Sequence, residues 1–508
     1  GSLRAGHYGP DLSLFASDTI NGHTFLNLNP DVQSRYFTHY QFSSTFAPSY
    51  FASPKPPGTY RIFCLGASTT VGFPYWYNGS FASFLRDRLR RMFPERKLEV
   101  INLGLTATNS FTVNDMAEEL VEYEPDLLIV YDGHNEFYGA LGIGSHESLG
   151  SFRWLTKTYL RLIHFRTFLL CRDAFAAMAG LFRHPPEDTR TRPLMELLAS
   201  GQYIPYGSKT YREGLAIFTE NLDDLKGFAR SHQLHVILAS QVSNLRDQPP
   251  FVSLDAPDRG TEERKSYHAC VDSALKDLNN GRLRPAIGQF RRALSFDPLH
   301  ADARYFLARC LDTLGQKDTA KVEYRKARDF DQLRFRASTD FNDVIRSRTD
   351  GRLMLFADME KAFEENSPDS LIGKGLILEH LHPNSRGAFV LAKEYARTMR
   401  EYHLFATDQA WQARDTVGDE LLWRERSVTG LDEIIARRRT DVLTAGWPFK
   451  NQIATVDAVP KSDTLRLIGE RLITRTMSWP QAHSAAASYY SSKGEYENAI
   501  REYRVIVN

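Results

Sequence analysis

Apolar positions along this chain follow two spacings in alternation. Ile62–Leu65, Leu98–Leu103, Asp126–Gly133, His235–Val242 and Arg352–Asp358 are short and dense in apolar residues. Between them the spacing lengthens to a helical stripe, as in Ser80–Phe93 with Phe81, Phe84, Leu85, Leu89 and Met92. Stripes of the same kind run over Phe111–Tyr123, Tyr211–His232 and Ser385–Tyr402. Short solid runs are strands buried on both faces, and the intervening helices are what covers them. The pattern therefore predicts an α/β fold: three layers, with a mostly parallel five-stranded sheet between helices.

Two stretches depart from this alternation. Residues 1–60 are rich in aromatic residues and proline, end on "ASPKPPGTY", and read as an irregular lead-in that packs on the core. Residues 265–330 are helical throughout and repeat themselves. Gly281, Ala286, Phe290 and Ala293 recur as Gly315, Ala320, Tyr324 and Ala327, each thirty-four residues on. That period, with small residues flanking an aromatic, is the tetratricopeptide pattern: small residues let paired helices approach and the aromatic fills the gap. Near the end, Gly494, Ala499 and Tyr503 restart the same spacing. The expected organisation is a lead-in (1–60), a first core segment (61–250), an inserted repeat pair (251–335), a second core segment (336–402) and an all-α region (403–508). The last would open a further repeat array running past Asn508.

Trp154–Phe182 comes nearest to a membrane span, but Arg161, Arg166, Arg172 and Asp173 interrupt it, so an amphipathic core or lid helix is expected. Gly1-Ser2 reads as a remnant of tag removal, so an anchor could lie outside the sequence. The formal net charge of +1 gives no global pull toward nucleic acid, and no nucleic-acid-binding motif is present. Cys64, Cys171, Cys270 and Cys310 are far apart in apolar settings and read as buried small hydrophobes. No HExxH, Cys/His cluster or Asp-rich loop suggests a metal. "GALGIGS" (Gly139–Ser145) lacks the strand-to-helix context of a dinucleotide site, so no cofactor is expected.

The polar residues that remain fall just after the strands. "GASTT" carries Ser68 after the first, "NLGLTATNS" carries Gly104 after the second, and "GHNEF" carries Asn135 after the third. "LEHLHPNSRG" carries Glu379 and His382 between the fifth strand and the closing helix. In a parallel sheet these segments share the carboxyl-end rim, where open α/β folds bind ligands. Alone, Ser68 reads as a helix N-cap, Gly104 as a turn residue and Asn135 as a loop-satisfying side chain.

Together, and in this order, the four segments resemble the blocks of the SGNH (GDSL-type) hydrolase superfamily over roughly residues 60–250 and 336–400. The Gly-Xaa-Ser-Thr-Thr form of the first also resembles members associated with acetyl transfer on exopolysaccharides. The resemblance implies Ser68 as nucleophile, His382 as general base and Glu379 as its orienting carboxylate. It implies an oxyanion hole from the Ser68 and Gly104 N–H groups and the Asn135 amide. The family usually has Asp-Xaa-Xaa-His where this chain has Glu379-His380-Leu381-His382, so Glu379 is the assignment most in question. Glu136 stands where the family has Asp, and Ala67 where it often has Asp. His380 reads as structural. His134, Asn244 and Arg246 lie on the same rim as candidate substrate contacts.

The expected activity is ester hydrolysis through an acyl-enzyme on an acyl ester, an O-acetylated glycan or a lipid-like ester. The same triad would serve an O-acyltransferase acting on an envelope glycan. A third reading, from the repeats, is a scaffold that binds a protein or peptide partner and carries a non-catalytic hydrolase domain. Repeat-bearing members of this kind imply a bacterial envelope location, periplasmic or extracytoplasmic.

Overall fold

The apolar runs pair into one sheet. The computed structural model describes residues 9–37, 49–76, 78–150, 152–180, 194–199, 201–255, 259–449 and 463–507. Gly1-Ser2, the end of the Trp154–Phe182 stretch and Asn508 lie outside them. Eight strands are described: β1 Phe15–Ile20, β2 His23–Leu28, β3 Phe51–Ser53, β4 Thr59–Gly66, β5 Lys97–Asn102, β6 Leu127–Tyr131, β7 His235–Ala239 and β8 Met354–Ala357. The last five form a single sheet in the order β5-β4-β6-β7-β8, and every neighbouring pair is parallel. Strand order reverses at β4, which lies between β5 and β6, and this creates the switch point where such sheets open a crevice.

Alternation along each strand divides the core in two. Phe63, Leu65, Leu128, Val130, Val236 and Leu238 face one side, against the helices Ser110–Leu120, Lys209–His232 and Thr339–Arg348. Ile62, Cys64, Leu127, Ile129, Ile237 and Leu355 face the other, against Phe81–Met92 and Ser385–Glu401. All five residues of β6 are buried, as a central parallel strand requires.

The described parts of residues 1–60 are more ordered than the sequence suggests. Strands β1 to β3 form an antiparallel sheet, with β1 and β2 joined at Asn21-Gly22. Both turn residues have positive φ, 51° and 79°, the conformation that an Asn-Gly hairpin favours. Phe15 and Phe51 then pack edge-on in a 4.9 Å pair, and Phe51 lies 5.4 Å from Phe63 of the main sheet. Trp154–Phe182 is likewise not one helix: Arg153–Leu162 and Arg166–Gly180 are separate. Among the described residues no helix is long and apolar enough to cross a membrane. Cys171 is exposed, correcting its expected burial, while Cys64, Cys270 and Cys310 are buried and all four are free thiols.

The repeats form two helical hairpins, Thr261–Asn279 with Leu283–Phe296 and Ala301–Thr313 with Lys317–Phe330. Gly281 and Gly315 take φ of 71° and 78° at the two tight turns. Ala286, Phe290, Ala293, Ala320, Tyr324 and Ala327 are all buried, so the repeated alanine and aromatic positions lie in the hairpin core. The pair is seated on the sheet domain. Arg246 Nε and Nη2 donate to Asp312 at 2.8 and 2.9 Å, Tyr305 donates to the Arg246 carbonyl, and Ser253 bonds the His300 ring. The first helix of the second hairpin, with its cap His300, thus contacts the chain's own segment 245–255. At the third, C-terminal copy of the spacing, Ala499 is buried but Tyr503 is exposed.

Candidate active site

Strand β4 ends at Gly66 with φ near 145°, where a Cβ would lie 2.2 Å from the Tyr131 carbonyl. Only glycine lets the ends of β4 and β6 come this close. The chain then turns into the short helix Ser68–Val71, which places Ser68 as its first residue, half-buried. The cap position is Ala67, which makes no side-chain cap bond, so the Ser68 hydroxyl is not consumed in capping. It bonds His382 Nε2 at 2.8 Å instead.

His382 is held from behind. Its Nδ1 faces Glu379 Oε1, so the ring is the tautomer with the proton on Nδ1 and a bare Nε2 toward Ser68. Glu379 folds back on its own loop. It accepts from the backbone N–H groups of His380, Leu381 and His382, and its Oε2 also accepts from His380 Nδ1. Burial alone would raise this carboxyl, but the two imidazoles hold it well below the usual range. Burial pushes the His380 imidazole down, against the pull of Glu379. Outside the loop, Asn244 N–H donates to the His380 carbonyl at 2.9 Å. Asn384 caps the helix Ser385–Glu401 by accepting from Gly387 N–H at 2.9 Å, which anchors the far end. Phe73 lies 4.7 Å from the His382 ring, and Phe251 and Phe449 lie 5.5 and 5.6 Å from that of His380.

The two side-on donors differ. Asn135 follows β6, is half-buried, and its side-chain amide has no hydrogen-bond partner among the described residues. The next residue, Glu136, secures its loop by accepting from Ser110 N–H at 3.0 Å and Ser110 Oγ at 2.6 Å. Burial raises Glu136 to about 7, and it shares its buried setting with Asp132, whose carboxyl is raised well above its usual range by the same cause. Gly104 is a correction. Its N–H donates to Asn102 Oδ1 at 2.9 Å and is not free to meet an oxyanion. A Cβ there would lie 2.4 Å from Val71 N, so glycine serves the close packing of the β5 loop against the serine helix.

The three rim residues expected to touch substrate make contacts within the chain itself. His134 is buried, its Nδ1 accepts from Ala337 N–H at 3.0 Å, and burial pushes its pKa down to about 3. It is a neutral tie to the chain returning from the repeats. Asn244 Oδ1 accepts from Asp247 N–H at 2.8 Å within its own turn. Arg246 is turned to Asp312 of the second hairpin. His380 reads as structural in the sequence, and its position directly after Glu379 is the one signal there of its place beside the carboxylate.

Among the described residues, two groups of side chains have the composition of a metal site. In Glu379, His380 and His382 the ring nitrogens nearest the carboxylate are already its hydrogen-bond donors. In Asp115, Glu119 and His164 the Arg35 guanidinium is already seated against both carboxylates. Neither arrangement leaves converging free lone pairs for a cation.

The tetratricopeptide repeat family model matches residues 301–331. A comparison with curated proteins returns no significant match. Solved structures to which the chain is similar include one described as a GDSL-like lipase from Parabacteroides merdae, at 11% identity and a TM-score of 0.29. The acetylxylan esterase Axe2 from Geobacillus stearothermophilus stands at 12% and 0.29. Each alignment covers 67% of this chain and 94% of the other. A two-domain esterase active on acetylated mannans is 13% identical with a TM-score of 0.24, covering 68% of this chain and 49% of its own. At residues 301–331 the chain is thus similar to tetratricopeptide repeats.

Proposed function

We propose that this chain is a serine-dependent ester hydrolase working through an acyl-enzyme. One observation carries the reading: Ser68 Oγ lies 2.8 Å from the bare Nε2 of His382, whose Nδ1 proton is held by Glu379. A serine hydroxyl is a weak nucleophile until a base takes its proton. As Ser68 Oγ bonds to the acyl carbon, its proton passes to His382 Nε2, and the carbonyl electron pair moves onto oxygen. The Asn135 amide and the Ser68 N–H are the donors left to meet that oxyanion. Collapse expels the alcohol, which takes the proton back from His382. Water then repeats the sequence and releases the acid. Glu379 stabilises the imidazolium formed at both stages and stays ionised throughout.

The test is labelling by a fluorophosphonate probe together with turnover of p-nitrophenyl acetate, comparing wild type with Ser68→Ala. The variant should lose label and at least about 1000-fold in kcat, while its Tm moves by no more than about 1–2 °C, because the hydroxyl is not the helix cap. A wild-type chain that takes no label and turns over no ester would sink the reading.

A further inference from the structure

The proposed mechanism uses one imidazole, yet the same carboxylate holds two. Glu379 Oε1 faces His382 Nδ1 and Oε2 faces His380 Nδ1, so each oxygen has its own ring donor. Backbone N–H groups of three successive residues close the remaining directions, which leaves the carboxylate little freedom to rotate. His380 itself is fixed from outside. Its carbonyl accepts from Asn244 N–H, and its ring is walled by Phe251, Phe335 and Phe449, with centroids 5.5, 6.4 and 5.6 Å away. The His380 and His382 rings stand nearly perpendicular, 5.7 Å apart.

We infer that His380 is a positioning residue for the Ser68–His382 pair: its Nδ1–H anchors the second oxygen of Glu379, so that one carboxylate aligns two imidazoles. The inference rests on the serine-hydrolase reading above. It also accounts for glutamate at this position. An aspartate, one methylene shorter, would withdraw the carboxylate by about 1.5 Å, away from the rings of the next residue and of the third residue along the chain. Without the second ring, Oε2 keeps only its backbone donors from His380 and Leu381, and Glu379 is held less firmly. An unshared carboxylate is also more basic and stabilises the protonated form of its remaining partner.

The other titratable groups facing the pair are His134, which burial keeps neutral, and Arg336, whose guanidinium is tied to Asp331 at 3.0 Å. Neither changes charge near neutral pH, so a shift of the acid limb reports on the Glu379 arrangement.

The experiment compares His380→Phe, which fills the aromatic cage but donates nothing, with His380→Asn, whose amide restores a donor near the Nδ1 position. In His380→Phe kcat should fall about tenfold with KM within about twofold, and the acid limb of kcat/KM should move up by roughly half a pH unit. His380→Asn should recover most of both. Proton NMR of the wild type should show two low-field ring N–H resonances, with one lost in His380→Phe. The inference is overturned if His380→Phe keeps the wild-type rate and pH profile, if Asn is no better than Phe, or if both low-field protons survive the substitution. The spectrum is read without turnover, so its outcome stands apart from failure of labelling at Ser68.

Discussion

Replacing Glu379 by glutamine isolates what the buried charge does while keeping the shape of the side chain. The carboxylate accepts five hydrogen bonds, three from backbone and two from rings. A glutamine can present one oxygen, and its amide N–H₂ must then oppose one set of N–H donors. If the oxygen stays on the His380 side, the amide faces His382 and drives its proton to Nε2, the wrong tautomer for accepting the Ser68 proton. If it stays on the His382 side, the neutral amide still stabilises the imidazolium far less than a carboxylate does. Hydrogen bonds to a charged group contribute about 1.5–3 kcal/mol, and the enforced tautomer adds to that. A loss of about 3–5 kcal/mol from the transition state follows, or roughly 10²–10⁴ in kcat. The magnitude resembles that of the corresponding Asp→Asn change in the serine-protease triad. The assay is p-nitrophenyl acetate turnover as a function of pH, with thermal unfolding in parallel. Because the folded-state pKa of Glu379 is depressed, its contribution to stability is present above the ordinary carboxylate pKa and lost as pH falls through the folded value. The glutamine variant should therefore show a flatter Tm profile at acid pH. A variant that keeps more than about a tenth of the wild-type kcat would refute the assignment of Glu379 as the orienting carboxylate.

Asn135→Ala should lower kcat by about 10²-fold with a smaller change in KM, since it removes one oxyanion donor and no buried contact; equal effects on the two would point to ground-state binding instead. Gly66→Ala should destabilise by about 3 kcal/mol or more in urea unfolding, because a Cβ would meet the Tyr131 carbonyl at 2.2 Å on a backbone with positive φ. His483 is buried between Asp432 and Glu502. Burial alone would lower it, but the two carboxylates raise it to about 9. Its stabilisation, about 3 kcal/mol, is fully present below pH 6.5 and lost as pH rises through about 9. Tm measured from pH 6 to 10 should decline in wild type and stay comparatively level in His483→Leu once the variant's own lower stability is subtracted.

The strands and the repeat pair were legible because both are periodic. Leu127–Tyr131 is a solid apolar run because both faces of a central parallel strand are covered. The thirty-four-residue spacing survives because each copy buries the same small and aromatic positions. The β1–β2 hairpin was missed although Asn21-Gly22 marks it, since its flanking strands are largely exposed and carry a weak apolar alternation. Gly104, His134, Asn244 and Arg246 sit on the rim as placed, but a rim position does not say which way a polar group is satisfied. Gly104 N–H found Asn102, and Arg246 found Asp312 sixty-six residues away in an inserted hairpin.

From the sequence alone, alternation of strand and helix spacing determined the parallel sheet, and with it the shared rim for Ser68, Asn135 and His382. It also determined that a helical repeat pair interrupts the sheet. Only the tertiary structure decided the partners at that rim: the Ser68 hydroxyl on His382 across 314 residues of chain, Glu379 divided between two rings, and the repeat hairpins closed on the chain's own segment. The physical reason is range. Periodicity records which face of a local element leaves water, whereas a hydrogen bond between side chains depends on distant segments arriving within about 3 Å of each other.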